Sequence, residues 1–432
     1  MLDETIIRRA VELAATDPEF RRHAEHWTGV VQLGTESQAW RLEVTAAAVS
    51  GPTPVSAIVP VTDGDVAVLG PDELWRKVLA AVPPPTCTTM FSAALLGMDV
   101  RIGGMDGARY LAVNRLSELL RHAANGSDPA PQAMATTARH GDIDAAVGRY
   151  VHLVIDGVDY RVYYEEAGTG IGLLCQHTAG ADARQWRHLL EDQRITSQYR
   201  VIAYDLPFHG KSLPPVGKAW WTEQYMLTKD FATAVVRGLA KVLELDRPAF
   251  IGSSLGGMLA LDLAHDHPDD FRAAISCEGA LKFDVGRWFA SLAPNAGEVM
   301  SLGFQPDVAL HAATQTPYMG ATAPVPYQKE TWWGYAQGGP GVFPGDIHYY
   351  SDDHDLNGRG AEFDTSRCAV HLLTGEYDYP SLVISREAAE QIPGATYRQM
   401  AGLGHFPMSE DPERFATYLL PILEEIAKEE PR

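Results

Sequence analysis

The sequence lacks several features that would assign it to other classes of protein. It has no run of about 18 apolar residues, so no segment is expected to span a membrane. Its amphipathic start carries acids at positions 3 and 4, whereas a signal peptide needs a basic start and an unbroken apolar stretch. Positive charge is scarce: 35 Lys and Arg stand against 56 Asp and Glu, a net charge of −21. Nucleic acid and anionic membrane surfaces are therefore expected to be poor partners.

Cysteine is also scarce. The four residues, Cys87, Cys175, Cys277 and Cys368, lie far apart and form no CxxC pair or metal-ligand spacing. The sequence alone does not exclude disulfides, but four scattered cysteines favour a reduced, cytoplasmic protein.

The chain has 432 residues, which is more than one ordinary domain needs. A small, polar stretch at 123–148, broken by Pro129 and Pro131, predicts a linker or an extended arm. The sequence therefore predicts one domain at 1–122 and a larger one at 149–432.

Apolar strands alternate with helices after the linker. A hairpin is predicted at 149–155 and 158–165, because Asp156-Gly157 is a strong turn signal. Further strands are predicted at 172–177, 199–205, 249–253, 273–277 and 369–375, and helices at about 222–244, 255–267, 381–391 and 411–428. This order predicts an α/β fold with a mostly parallel, doubly wound sheet. Residues 281–366 interrupt it, and we expect this insertion to be a lid.

The motif Gly252–Gly256 follows a predicted strand and opens a predicted helix, the context that G-x-S-x-G requires. The nucleophile of such a turn needs small residues two positions before and after it. Ser254 has glycine at both positions, whereas Ser253 would have Ile251 and Leu255. Ser254 is therefore predicted to be the nucleophile, and a plain glycine-rich turn is the alternative.

From about residue 149 to its end the chain resembles the α/β-hydrolase family, because further motifs follow in the family's order. Residues 176–180 follow the third strand, where the family places an oxyanion-hole donor, with Thr178 at a position the family gives to glycine. The backbone amides of Ala179 and Leu255 are our candidate donors. The loop Asp-Leu-Pro-Phe-His-Gly-Lys-Ser is similar to the family's D-x-P-x-H-G-x-S segment, and its His209 is expected to be structural.

The acid and the base are expected later, in the order Ser, acid, His. The strand that ends in Gly-Glu-Tyr-Asp matches the family's G-x-x-D, which makes Asp378 the orienting acid, with Glu376 and Glu278 as competitors. The later Gly-Leu-Gly-His loop makes His405 the base. A serine nucleophile disfavours dehalogenases and epoxide hydrolases of this fold, which use aspartate, and no metal or organic cofactor is implied.

The predicted lid is rich in aromatic residues. We expect Trp332, Trp333 and Tyr335, together with Thr178, to contact the substrate, because ligand sites are mostly apolar. The acidic, histidine-containing stretch at 348–355 could suggest a metal site, but a solvated turn is the favoured interpretation.

Residues 1–122 predict a small α+β domain. Helices are predicted at 4–15 and 109–122 and strands at 28–34, 38–48, 55–61 and 64–69. Trp27-Thr28-Gly29, Asp65-Val66 before the helix start at 70–75, and Gly103-Gly104 resemble a sterol-carrier-like (SCP2) domain. This resemblance implies an apolar groove, so the domain is expected to shape the pocket entrance or to build a homodimer. An independent solubility module is the alternative.

The motifs favour hydrolysis of a carboxylic ester or lactone of a bulky, largely apolar or aromatic small molecule. A second hypothesis is hydrolysis of a carbon–carbon bond in a β-diketone or ring-cleavage product, because members of the family use the same triad for it. A third, from another class, is a non-catalytic lipid-binding or scaffold protein.

Overall fold

The computed structural model describes most of the chain. It covers residues 2–35, 37–55, 64–95, 98–104, 107–129, 133–134, 138–284, 312 and 314–428. The chain forms two compact units: Met1–Ala133 with Gly286–Thr322, and Met134–Val285 with Ala323–Arg432. The predicted insertion at 281–366 is thus divided between the units, and its residues 285–311 and 313 lie outside the described part.

The first unit is a small α+β structure. Its strands are β1 (Thr28–Gly34), β2 (Ala39–Thr45), β3 (Ala48–Val55), β4 (Val66–Leu69) and β5 (Arg101–Gly103), and its helices are α1 (Glu4–Thr16), α2 (Pro18–His23), α3 (Asp72–Val78), α4 (Met90–Leu95) and α5 (Gly107–Ala124). The sheet order is β3-β2-β1-β4-β5, with β1 parallel to β4. Pro317 and Tyr318 also join this core, since Thr88 donates a hydrogen bond to the Pro317 carbonyl at 2.9 Å and Tyr318 packs on the same cluster.

The second unit is built on an eight-stranded sheet in the order β13-β12-β11-β10-β8-β9-β7-β6. Its strands are β6 (Val147–Ile155), β7 (Val158–Ala167), β8 (Ile171–Gln176), β9 (Tyr199–Tyr204), β10 (Ala249–Ser253), β11 (Ala273–Cys277), β12 (Ala369–Gly375) and β13 (Thr396–Met400). Only the pairs β6–β7 and β7–β9 are antiparallel among these neighbours. The mostly parallel sheet expected from the strand–helix alternation is confirmed.

Helices cover both faces of this sheet. They are α6 (Arg187–Glu191), α7 (Gln193–Thr196), α8 (Lys229–Val242), α9 (Leu255–Asp266), α10 (Val325–Tyr335), α11 (Val342–His348), α12 (Tyr379–Gln391), α13 (Pro407–Glu410) and α14 (Pro412–Lys428). Successive residues of β8 enter opposite cores: Leu174 packs with α8 and α9, whereas Leu173 and Cys175 pack with α14. Burial on both faces explains why the central strands are unbroken apolar runs.

One prediction about the strands was wrong. Residues 38–48 are not one strand, because β2 and β3 are joined at Ala46 and Ala47, which have φ of 43° and 73°. Two alanines give none of the Asn or Gly signal that usually marks such a turn. The strand expected at 55–61 lies outside the described residues except for Val55, which belongs to β3. The sequence analysis also missed β13, a largely exposed edge strand without an apolar pattern.

Candidate active site

Ser254 lies in the sharp turn between β10 and α9. Its backbone has φ 57° and ψ −112°, a conformation that costs energy for a residue with a side chain and that marks functional turns. Its amide donates to the carbonyl of Cys277 at 2.9 Å, which ties the turn to the end of β11. The serine is 6% exposed, so it lies at the edge of the core rather than on the open surface.

The glycines around this turn have no room for a side chain. A Cβ at Gly252 would collide with the backbone of Gly256, and a Cβ at Gly256 would lie 2.7 Å from the carbonyl oxygen of Gln176. The neighbouring Ser253 is fully buried and its hydroxyl donates to the carbonyl of His405 at 3.3 Å. The loop that carries His405 is therefore in contact with the turn that carries Ser254.

His405 is paired with an acid from the loop after β12. Its Nδ1 lies 2.7 Å from Oδ2 of Asp378, whose side chain is 2% exposed. The two loops approach closely because Gly375 has no side chain: a Cβ there would lie 2.6 Å from the Leu403 carbonyl. Burial opposes the Asp378 anion, but the charge and hydrogen bond of His405, with hydrogen bonds from Glu278 and Ser381, lower the pKa of Asp378.

The two competing acids occupy other positions. Glu376 is half-buried, and its Oε2 accepts the Gly402 amide at 2.9 Å. Glu278 is fully buried after β11, and its Oε1 accepts the Gly375 amide at 2.8 Å. Burial, followed by the adjacent Asp378 carboxylate, raises the pKa of Glu278 well above its usual range. Of the three acids, Asp378 is the one hydrogen-bonded to His405.

The amides of Ala179 and Leu255 have no protein acceptor among the described residues. Those on either side of Ala179 are occupied, since Thr178 donates to Oε1 of Gln185 at 3.0 Å and Gly180 donates to Oδ2 of Asp346 at 2.7 Å. Leu255 is the first residue of α9, where the helix leaves its amides unpaired. Neither amide is therefore committed to a protein hydrogen bond in the part of the chain that the structure describes.

A buried polar cluster contacts the loop that carries Ala179. The sequence analysis missed the central acid of this cluster, Asp346. The Oδ2 of Asp346 accepts from Gly180 and lies 2.8 Å from Nε2 of His209, and its Oδ1 accepts the Tyr225 hydroxyl at 3.1 Å. The ring of His177 lies 4.7 Å from that of His209. Burial, helped by His209, lowers the pKa of His177 to about 4, so His177 is neutral near pH 7.

The residues predicted to contact substrate differ in their surroundings. Tyr335 is buried, its hydroxyl bonds Oγ1 of Thr178, and its ring lies 5.4 Å from that of Phe406, next to His405. Thr178 and Tyr335 therefore connect the loop that carries Ala179 with the loop that carries His405. Trp332 is half-buried, with a ring 6.3 Å from that of Trp333. Trp333 is 62% exposed, so it is not brought into this group.

The stretch at 348–355 is solvated at Asp352, Asp353 and Asp355, as expected from the sequence, but it is not solvated at His354. His354 is fully buried, with Nδ1 2.8 Å from Oδ2 of Asp262 and Nε2 2.8 Å from the Ala280 carbonyl. Within the described residues, no group of three or more His, Cys, Asp or Glu side chains is placed to hold a metal ion. None of the described helices is long and apolar enough to cross a bilayer.

A serine at a strained strand–helix turn, followed in the chain by an acid and a histidine on loops of one mostly parallel sheet, defines an α/β hydrolase. The chain belongs to the Alpha/beta hydrolase family, whose sequence profile matches residues 173–418, more than half of its length.

Two relatives are named as hydrolases of unsaturated hydroxy-oxo acids. The chain is 31% identical over 132 residues to a 2-hydroxy-6-oxononadienedioate/2-hydroxy-6-oxononatrienedioate hydrolase of Burkholderia vietnamiensis, which is 29% of this chain and 42% of that protein. It is 32% identical over 113 residues to a 2-hydroxy-6-oxo-6-phenylhexa-2,4-dienoate hydrolase of Comamonas testosteroni, 26% of this chain and 37% of that protein. The chain spans less than half the length of the curated relatives it matches.

A solved structure shares the fold. The chain is similar to a thermophilic esterase of Thermogutta terrifontis, with a TM-score of 0.54 and 19% identity over 65% of this chain and 100% of that one.

Proposed function

We propose that this protein is a serine hydrolase that cleaves a carboxylic ester or lactone of a bulky, largely apolar or aromatic substrate. Ser254 is the nucleophile, His405 the base and Asp378 the acid that orients it. One observation carries the proposal: the loop bearing His405, already paired with Asp378 at 2.7 Å, contacts the turn of Ser254 through the hydrogen bond from Ser253. A paired base beside a strained serine fits nucleophilic catalysis.

In this mechanism, His405 takes the proton of the Ser254 hydroxyl as its oxygen attacks the substrate carbonyl. Asp378 holds the ring so that Nε2 is the atom that accepts the proton, and it stabilises the imidazolium that forms. The tetrahedral intermediate then expels the alcohol, which receives the proton from His405. A water molecule, deprotonated by His405, attacks the acyl-enzyme and releases the acid and the free Ser254 hydroxyl.

The oxyanion of the tetrahedral intermediate accepts hydrogen bonds from the amides of Ala179 and Leu255. Among the described residues neither amide has a protein acceptor, and the hydrogen bonds of Thr178 and Gly180 hold the loop on either side of Ala179. Such preorganised donors stabilise the transition state because they need no rearrangement when charge develops.

The acyl or alcohol group of the substrate lies against Thr178, Tyr335 and Trp332. Tyr335 supports this placement, because its contacts with Thr178 and Phe406 join the loop of Ala179 to the loop of His405. Trp333 is 62% exposed, so it would contact a part of the substrate that reaches solvent.

Carbon–carbon bond hydrolysis is the second candidate. Two relatives are named as hydrolases of dienoate or dienedioate compounds, which favours the same reaction here. The triad would then serve attack on a ketone, and the leaving carbon would take up a proton instead of an alkoxide oxygen.

A substrate panel on the full-length protein separates the two candidates. Nitrophenyl esters, lactones and a dienoate diketone are compared by kcat/KM, with Ser254→Ala as the control for background turnover. We expect an ester or lactone to exceed the diketone by about tenfold or more, which corresponds to about 1.4 kcal/mol of transition-state binding. The reverse order would assign the protein to carbon–carbon bond hydrolysis.

We infer that the first unit serves as a sterol-carrier-like module that binds an apolar group or builds a homodimer. Its five-stranded sheet with helices is compatible with this role. We also infer a cytoplasmic, reducing location, because all four cysteines are buried free thiols. Sedimentation of the full-length chain tests the dimer: a monomer at every concentration would rule it out.

A further inference from the structure

A second buried carboxyl group lies behind the acid of the proposed triad. Glu278 follows β11 with φ 56° and has no exposed surface. Its Oε1 accepts a hydrogen bond from the Gly375 amide at 2.8 Å. Its Oε2 is buried and has no hydrogen-bond partner among the described residues. The Glu278 and Asp378 carboxyl groups are close enough for each to shift the pKa of the other. Because two buried carboxylates at close range repel each other, we expect one of the two groups to carry a proton.

The surroundings place that proton on Glu278. Asp378 receives hydrogen bonds from His405 and Ser381, which favour its anion. Glu278 receives the single amide of Gly375 and faces the carboxyl group of Glu410, a second like charge that disfavours ionisation. The pKa of Glu278 is accordingly raised by burial first and by Asp378 second, whereas that of Asp378 is lowered.

Two further titratable side chains face Glu278, and neither offers a positive charge. The Cys277 thiol precedes it in the chain, and burial raises the pKa of that thiol, with a smaller contribution from Glu278. Burial, and to a smaller extent Glu278, also raises the pKa of the Tyr397 phenol. Both groups are neutral near pH 7, so they leave the proton assignment of the Glu278–Asp378 pair unchanged.

We propose that Glu278 is a positioning residue that works as a neutral carboxylic acid, donating a hydrogen bond to Asp378 and holding that carboxylate against His405. This inference rests on the proposed function, because it takes Asp378 and His405 as members of a triad. It gives the competing acid of the sequence analysis a different role: Glu278 supports the acid instead of replacing it.

Infrared spectroscopy tests the proton directly. Protein labelled with ¹³C-carboxyl glutamate should show, near pH 8, the carbonyl band of a protonated carboxylic acid, and Glu278→Gln should remove that band. Glu376→Gln is the matched control, because Glu376 is half-buried and accepts the Gly402 amide. The band should persist in this variant. A wild-type spectrum without the band would overturn the proposal.

The pH profile tests the charge. The Glu278→Gln substitution keeps the shape of the side chain, whose amide can accept a hydrogen bond from Gly375 and donate one to Asp378. It changes no charge if Glu278 is neutral. The acid limb of kcat/KM should then stay within about 0.3 pH units of wild type. If Glu278 were ionised, removing its charge would lower that limb by about one unit or more. A shift of that size would contradict the neutral acid.

Methionine at 278 tests positioning, because it fills similar volume and cannot donate a hydrogen bond. Glu278→Met should lower kcat by about 10- to 100-fold and change KM by less than about threefold, while Glu278→Gln stays within about threefold of wild-type kcat. Circular dichroism and thermal unfolding check the fold. A folded Glu278→Met variant with wild-type kcat would overturn the proposal. If this variant does not fold, the pH profile of Glu278→Gln and the infrared band still test the proposal.

Failure of the proposed function would be visible separately. A fluorophosphonate should label Ser254 in the wild type and in Glu278→Gln. If the wild type is not labelled, the hydrolase proposal fails, whereas the infrared band still reports whether Glu278 carries a proton.

Discussion

Replacing Asp346 with alanine is expected to loosen the loop that carries the Ala179 amide. Asp346 is fully buried, and its Oδ2 accepts the Gly180 amide at 2.7 Å and faces Nε2 of His209 at 2.8 Å. The Nδ1 of His209 faces the carbonyl of Pro207 at 3.0 Å. Both ring nitrogens therefore donate, and His209 and Asp346 form a buried ion pair.

The size of the effect follows from what the substitution leaves behind. Without Asp346, the charge of His209 and the amide of Gly180 lose their acceptor, and breaking a buried pair in this way costs about 3–5 kcal/mol. Burial opposes the charged ring of His209, but the charge and hydrogen bond of Asp346 outweigh it and raise the pKa of His209. The pair therefore contributes its full stability below about pH 6.5 and loses it as the pH rises through the raised pKa.

Urea unfolding of the wild type and Asp346→Ala at pH 6 and pH 9 measures this cost. The loss of unfolding free energy should be larger at pH 6, and kcat should fall by up to about 100-fold because an oxyanion donor is displaced. Asp352→Ala is the matched control, since its side chain is 71% exposed in the same segment and its effect should stay within about 0.5 kcal/mol. A stable Asp346→Ala variant at pH 6, or equal losses at both pH values, would refute the reasoning.

Three further predictions concern other parts of the second unit. Asp378→Asn should lower kcat by about 10⁴-fold by favouring the wrong tautomer of the histidine, and near wild-type kcat would move the acid elsewhere. Gly256→Ala should destabilise the fold by about 1–3 kcal/mol in urea unfolding, because its Cβ would lie 2.7 Å from a backbone oxygen. Gly217→Ala, with open space around it, should not, and equal effects would contradict the packing argument. Burial opposes the Glu330 anion, but hydrogen bonds led by Arg187 lower its pKa to about 2. The stability that the ionised Glu330 contributes is present above about pH 4.3 and is lost toward pH 2. Glu330→Gln should therefore reduce the loss of thermal stability between these pH values, and an unchanged loss would contradict this role of Glu330.

The parts of the site that depend on local backbone geometry could be predicted from the sequence. The small neighbours of Ser254 lie two positions away in the chain, and the collisions at Gly252 and Gly256 are the physical reason for them. The central strands could be predicted because burial on both faces makes them continuously apolar. The roles of Ser254, Asp378 and His405 stay predictions until they are tested by activity.

The partners of buried polar residues could not be predicted. His209 and Asp346 are 137 positions apart, and no local pattern connects them. His354 was expected in a solvated turn because its neighbours are acidic, but it pairs with Asp262, 92 positions earlier. The electrostatic interaction between Glu278 and Asp378 likewise depends on two strands that lie side by side only in the folded sheet.

Covalent labelling tests the central claim most directly. A fluorophosphonate probe is incubated with the wild type, Ser254→Ala and Ser253→Ala, and the modified peptide is identified by mass spectrometry alongside kcat for an ester. We expect one adduct per chain on Ser254 in the wild type and in Ser253→Ala. Ser254→Ala should give no adduct and lose about 10⁶-fold in kcat while remaining folded. An unlabelled wild type, or labelling and turnover that survive in Ser254→Ala, would contradict the account.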